Sequence, residues 1–279
     1  MKAFFIYILL LGFSTLGYAD GDLNERIVEV SREIQINPDS AFLYLKRGEL
    51  YYYNEDYYES IGDYNYCNQL GYQSSRLFYG LACTYDKIEN YKIAIFYLDK
   101  ILAKSKHDRK SLWLKAKLLR KINRYGEAAI ILEKVIQISE KPYLKMYLEA
   151  AYCWEQSSHQ QALQKANNIL YEGILKFGDL EVILEKLVEI HLNFGDYENA
   201  IFYQTKILNK SDQKEFAYFK RANIYLESGN YQNAKIDLRR TLASIDQLPV
   251  NVKQSNEWVK LKNEAKQNLY NLPADLAGF

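Results

Sequence analysis

The sequence predicts an all-α chain made of repeated helix-turn-helix units, and three observations carry that expectation. Nearly the same ten residues are written twice, GDYENAIFYQ from Gly195 and GNYQNAKIDL from Gly229, with a spacing of 34. Small residues recur at Ser60, Ala94, Ala128, Ala162, Ala200 and Ala234, at intervals of 34, 34, 34, 38 and 34. A fixed period in this range is the mark of a repeat array, each unit leaving an apolar face that only its neighbour can cover. The composition agrees: of 279 residues 48% are apolar and 25% charged, enough for a substantial core and too hydrophobic for a disordered chain.

Taken in order, residues 1–19 read as a secretory signal. Lys2 gives a short positive start, Ala3 to Leu16 form an apolar stretch of 14 broken only by Gly12, Ser14 and Thr15, and Gly17-Tyr18-Ala19 offers small residues where a signal peptidase reads. Cleavage before Asp20 and an exported product, periplasmic or secreted, are expected. The stretch is short for a membrane span, which needs roughly 20 apolar residues. An uncleaved N-terminal anchor is the alternative. Residues 20–40 are expected to form an N-terminal capping helix, since Asn24 to Ile36, followed by Asn37-Pro38, falls in register with the second helix of a unit alone.

Residues 41–245 then hold six units. Twelve residues before each small anchor stands another small residue or a valine, namely Gly48, Ala82, Ala116, Ala150, Val188 and Ala222, and three residues before it stands Tyr57, Tyr91, Tyr125, His159, Tyr197 or Tyr231. Each unit is therefore two helix-length apolar patterns joined by a tight turn. The stretches KRGELYYYNEDYYESIGDY from Lys46 and KRANIYLESGNYQNAKIDL from Lys220 show the pattern best. On these residues the chain resembles the tetratricopeptide repeat (TPR) family, over residues 41 to 242. The resemblance implies a right-handed α-solenoid of TPR units with helical caps, working as a binding scaffold whose concave groove is lined mainly by the first helix of each unit.

Two departures bear on the fold. The turn glycine is kept at Gly195 and Gly229 but is Glu55, Glu89, Asn123 and Ser157 elsewhere, so those turns are expected to be less regular. The fourth unit carries four additional residues, so its second helix should run long through ANNILYEGILKFG, with Gly173 and Gly178 marking an end or kink. Residues 246–279 should supply a C-terminal capping helix and tail, with Trp258, Leu261, Ala265, Leu269 and Leu272 at helical spacing beyond Pro249.

Charge and chemistry narrow the function classes. Lys plus Arg number 36 against 35 acids, a net of +1, which gives no global reason to expect nucleic acid or an anionic membrane. The 26 tyrosines read as half-buried helix faces. Cys67, Cys83 and Cys153 are odd in number and carry no metal or redox spacing, so they read as small buried hydrophobes. His107, His159 and His191 fall in a loop, a turn and a core anchor position of separate repeats, which argues against a shared metal site. No nucleophile elbow, phosphate loop or HExxH is present, and Glu55, Asp56 and Glu59 read as an acidic turn. No catalysis, metal or cofactor is expected.

A binding role is expected instead, and the charge pattern suggests where. From Gly48 to Ser75 there are five acids, eight tyrosines and no Lys or Arg, whereas Lys104 to Arg124 holds nine Lys/Arg and one acid. Carried over from the resemblance, the groove positions of repeat 3 are Lys110, Trp113, Lys117, Arg120 and Lys121, and those of repeat 4 include Tyr147 and Trp154. These seven are the candidate partner-binding residues: cations for an acidic or C-terminal carboxylate peptide, and Trp113 and Trp154 as flat anchors. The carboxylate clamp with which some relatives grip chaperone tails is not matched, because its positions hold Leu45/Glu49, Tyr79/Cys83 and Trp113/Lys117. The alternative is an assembly factor that uses its convex face or an exposed apolar cap face around Trp258. A repeat-built enzyme would need a cluster of polar groups with shared geometry, which the sequence lacks.

Overall fold

A computed structural model of the chain describes residues 22–273. The expected signal, residues 1–19, lies outside the described residues, as does 274–279. Every regular element among the described residues is an α-helix. The chain divides into two compact units, Met1–Glu140 and Lys141–Phe279.

In the first unit α1 covers residues 22–36. It is followed by the hairpins α2 (Ala41–Tyr53) with α3 (Tyr57–Gln69), α4 (Ser75–Lys87) with α5 (Tyr91–Lys104), and α6 (Arg109–Lys121) with α7 (Tyr125–Ile138). The second unit holds α8 (Leu144–Glu155) with α9 (Ala162–Phe177), α10 (Glu181–Asn193) with α11 (Tyr197–Lys210), and α12 (Lys214–Glu227) with α13 (Tyr231–Gln247). The short α14 (Val250–Lys253) and the capping helix α15 (Asn256–Tyr270) close it. Within each unit every second helix also packs on the first helix of the next hairpin. The units part at Ser139-Glu140-Lys141-Pro142, where Pro142 removes a donor and holds its predecessor out of helical geometry.

The small anchors sit where the two helices of a hairpin meet. Ser60, Ala94, Ala128, Ala162, Ala200 and Ala234 are buried, and so are Gly48, Ala82, Ala116, Ala150, Val188 and Ala222. In the first hairpin the backbones approach closely enough for Ser60 Oγ to donate to the Gly48 carbonyl at 2.8 Å. The Tyr64 ring fills the remaining space. A Cβ on Gly48 would lie 2.8 Å from it, and one on Gly80, in the next hairpin, 2.9 Å. At the N-terminus Ile27, Val30 and Ile34 of α1 pack on Leu43 and Leu50 of α2.

The turns correct one expectation. Glu55, Glu89 and Asn123 adopt φ of 65°, 60° and 59°, beside 71° at Gly195 and 74° at Gly229. All five turns close with the same bonds, as Asp56 N–H to Tyr51 O and Glu55 N–H to Tyr52 O illustrate. They are equally regular because this pair of bonds, which satisfies the last carbonyls of the helix, is made by backbone alone. The non-glycine residues accept left-handed backbone at a cost of about 1–2 kcal/mol each. The turn at Ser157 does differ: α9 starts at Ala162, not at His159. Helix α9 runs 16 residues and ends at Gly178, φ 81°, while Gly173 stays helical against Tyr147 and Ile183.

The C-terminal cap corrects another. The Trp258 ring is 8% exposed, lying 4.8 Å from the Phe216 ring and packed with Ile245 and Leu261. The apolar face expected to be open around Trp258 is therefore the seam that fastens α15 to the last hairpin.

Candidate functional site

Helix α6 is set by its N-cap, where the Asp108 carboxylate accepts the Ser111 N–H at 2.9 Å. Leu112, Ala116, Leu118 and Leu119 point inward, so the helical period turns Lys110, Trp113, Lys117, Arg120 and Lys121 to the other side. Lys110, Lys117 and Lys121 are exposed, and Trp113 and Arg120 half-buried. Five of the seven predicted residues thus form one stripe in the first unit.

Lys117 and Lys121 are among the cations of the stripe already engaged. They reach Asp86 of α4 at 3.4 and 2.6 Å, and the Asp86 side chain is only 12% exposed. Lys121 also lies 4.8 Å from the centre of the Tyr91 ring. Burial pulls the Lys121 pKa down, but the hydrogen bond and charge of Asp86 outweigh it and leave the pKa raised, so the ammonium keeps its proton. One carboxylate thus faces two ammonium groups. Behind it burial pushes the Cys83 thiol up to about 11 and the Tyr79 phenol up to about 12, so both stay neutral.

The other two predicted residues sit in the second unit, and they correct the expectation of flat exposed anchors. Trp154 is 2% exposed, with the His159 ring 5.4 Å away and the Lys165 ammonium 5.7 Å from its centre. Tyr147 is 5% exposed and meets the Phe177 ring edge-on at 5.7 Å. The extra turn of α9 carries Phe177 over Tyr147, while the Trp154 ring is met by His159 and by Lys165 at the start of α9.

Sequence reading also missed that charges on groove positions join successive hairpins. Arg76 pairs with Glu49 through two bonds of 2.6 Å. In the second unit Glu155 accepts from Lys186 at 2.7 Å and from Asn193 at 2.5 Å, and Lys220 reaches Glu185 at 2.9 Å. The signal was the placement of opposite charges about one repeat apart, 27 to 35 residues. Between α10 and α12 a cavity of about 380 Å³ is lined by Glu185, Glu189, Glu227 and Lys220 with Leu192 and Ile224.

His107 and His159 are exposed, and His191 is buried, with Nδ1 2.8 Å from the Asp196 carboxylate and its ring on Tyr203. Among the described residues no group of His, Cys, Asp and Glu could hold a metal ion, and no helix is long and apolar enough to cross a membrane. Cys67 and Cys153 are buried, Cys83 is half-buried, and none of the three is in a disulfide.

Residues 217–243 match a tetratricopeptide-repeat model, and residues 87–168 match the model of anaphase-promoting complex, cyclosome, subunit 3. No curated protein matches the chain in sequence. Among solved structures, the C-terminal part of a TPR repeat-containing protein from Cytophaga hutchinsonii is 12% identical with a TM-score of 0.60, covering 86% of this chain and 94% of that one. A tetratricopeptide repeat protein from Parabacteroides merdae is 15% identical with a TM-score of 0.51, over 87% and 93%. YrrB, described as a TPR protein with an unusual peptide-binding site, is 15% identical with a TM-score of 0.53, over 64% and 91%. The fold of this chain is all-α, in consecutive helix-turn-helix repeats, and is the one those tetratricopeptide-repeat structures share.

Proposed function

We propose that the chain is an exported interaction scaffold that binds an acidic segment of a protein or peptide partner on the α6 stripe. The observation that carries this reading is the convergence of Lys117 and Lys121 on the single carboxylate of Asp86. Two ammonium groups aimed at one point, with Lys110 and Arg120 along the same stripe, suit a second carboxylate, and Trp113 gives its neighbour a flat apolar contact. The peptide-binding site in the name of YrrB supports a peptide as the class of ligand. Export rests on the charge and apolar pattern of residues 1–19.

The immobilised chain should retain a partner from an envelope extract, and Lys117→Glu with Arg120→Glu should lower retention at least tenfold while leaving the melting temperature within about 2 °C. Exposed pairs of this kind contribute only about 0–1 kcal/mol to stability, so lost capture would report binding and not unfolding. Unchanged capture by the double variant sinks the α6 reading. A mass spectrum of the native product starting at Asp20 would support export, and one starting at Met1 would speak for the retained anchor.

The cavity between α10 and α12, where three carboxylates surround one lysine, favours a second reading, in which Glu189 and Glu227 take a basic segment. Retention that survives the α6 variant and fails on Glu189→Lys with Glu227→Lys would select it.

A further inference from the structure

The cavity between α10 and α12 is closed at the back by α11, which packs on both helices. From α11 Gln204 lines the cavity although it is only 2% exposed. The orientation of its amide is fixed: the group 3.3 Å away is the Ala217 carbonyl, an acceptor only, so Nε2 faces it and donates. Oε1 lies on the other side of the amide, and no group among the described residues donates to it. Nor is it sealed from the cavity, since the sealed side-chain atoms without a partner belong to Asn68, Ser111, Asn167 and His191. A buried carbonyl oxygen with no donor at the back of a cavity calls for a donor from a ligand. The walls in front of it are aliphatic, from the buried Val188 and Ile224 and the half-buried Leu192. At the mouth Glu227 is exposed and has no ion pair among the described residues. Glu189 reaches Lys186 at 3.0 Å, but that ammonium is shared with Glu155 at 2.7 Å, and Lys220 is tied to Glu185 at 2.9 Å. Four carboxylates thus meet two ammonium groups around one opening.

We propose that this cavity takes the arginine side chain of a basic peptide segment on a partner protein, and that Gln204 is the residue that selects arginine. The proposal rests on the second reading above, in which Glu189 and Glu227 receive a basic segment, and it is independent of the α6 stripe. The aliphatic stem of the arginine lies along Val188, Leu192 and Ile224, a surface of its own kind. Its guanidinium donates to Gln204 Oε1 at the back and to the carboxylates of Glu227 and Glu189 at the mouth. A planar fork with N–H groups on several edges serves acceptors on two sides at once. It is also weakly hydrated, so it enters a half-apolar cleft more readily than an ammonium does. A lysine ammonium is a compact, strongly hydrated charge: it satisfies the carboxylates at the mouth but must shed its water to reach the back, and Oε1 stays unmet.

Methyl NMR of the full chain, read at Leu192 and Ile224, tests this with capped glycine peptides that differ only in a central arginine, lysine or citrulline. The arginine peptide should shift both sets of methyl signals and saturate, and the lysine peptide should bind about fivefold more weakly. Citrulline, which keeps the shape and loses the charge, should bind about tenfold more weakly or not at all. Gln204→Met keeps the volume and removes the carbonyl, so it should weaken the arginine peptide about tenfold and erase its advantage over lysine. Glu227→Gln should weaken both charged peptides by about the same factor, roughly threefold. Circular dichroism checks each variant, and if Gln204→Met misfolds, the ranking of the three peptides on the wild type and the Glu227→Gln result decide the matter. Equal binding of arginine and lysine overturns the choice of arginine and leaves the basic-segment reading standing. An arginine preference that survives Gln204→Met overturns the role of Gln204. No shift with any peptide, or shifts that Glu227→Gln leaves unchanged, overturns both the proposal and the reading beneath it.

Discussion

The first and sixth repeats use the same construction with different filling. In the first, Arg47 of α2 forms two bonds of 2.7 Å to Asp63 of α3 and a third of 3.0 Å to Ser31 of α1, and lies 5.7 Å from the Tyr44 and Tyr51 ring centres. In the sixth, Arg221 of α12 bonds Asp237 of α13 at 2.6 and 3.0 Å and Thr205 of α11 at 2.9 Å, between the rings of Tyr218 and Tyr225. Every member is displaced by 174 residues. Ser31 stands where Thr205 stands, so α1 occupies the place of the second helix of a repeat that precedes the first. What makes α1 an end is a short set of replacements. Ala200, Tyr203 and Ile207 of α11 pack on α10, and at the same places α1 has Arg26, Glu29 and Glu33. A terminus here is thus an ordinary repeat helix with its backward face made charged, which keeps the forward packing intact.

The clamp itself gives the largest way to break the likeness. Arg221 and Asp237 side chains are 11% and 2% exposed, against 20% and 9% for Arg47 and Asp63. Removing one member of a buried pair strands the other charge away from water. Asp237→Ala should cost about 3–5 kcal/mol in urea denaturation, and Asp63→Ala, where water reaches the guanidinium, about 1–3 kcal/mol. Equal losses would mean that burial does not grade the two clamps.

A smaller effect sharpens the comparison at the helix crossing. Gly48 faces Tyr64 in the first repeat, and the same positions in the sixth are Ala222 and Leu238. Gly48→Ala should destabilise by about 1–3 kcal/mol through overpacking. Adding Tyr64→Leu, which copies the sixth repeat's pair, should recover part of that loss in the same denaturation assay. If the second substitution only deepens the loss, volume exchange between the two positions is not the explanation. The smallest change lies in the turns, where Glu55 and Gly229 occupy one position with φ of 65° and 74°. Glu55→Gly should raise stability by about 0.5–1 kcal/mol by removing left-handed strain, less the entropy that glycine adds to the unfolded chain.

These particulars mark what the sequence made legible. The small anchors such as Ala94 and Ala222 could be found without a structure, because close helix approach admits few residue types and the period repeats that demand. The left-handed Glu55, Glu89 and Asn123 could not, since a backbone-bonded turn forces the conformation on whatever residue arrives there. Nor could the burial of Tyr147, which the longer α9 covers with Phe177. The clamp was visible in principle: Arg47 and Asp63 are 16 apart, as are Arg221 and Asp237, a spacing that spans a hairpin and so escapes a search for neighbours on one helix. The α6 stripe was legible as a stripe, but its partial neutralisation by Asp86 was not, because that carboxylate comes from the preceding repeat.

The ring of Tyr64, pressed between Gly48 of one hairpin and Gly80 of the next, ties three positions into one inheritance. A methyl group gained at either glycine is harmful while the ring stays, and a smaller residue at 64 leaves two vacancies at once. Drift at any one of them is therefore conditional on the other two, so homologues should change all three together or none. A chimera that grafts a foreign first repeat onto this chain must bring a matching residue at position 80 with it.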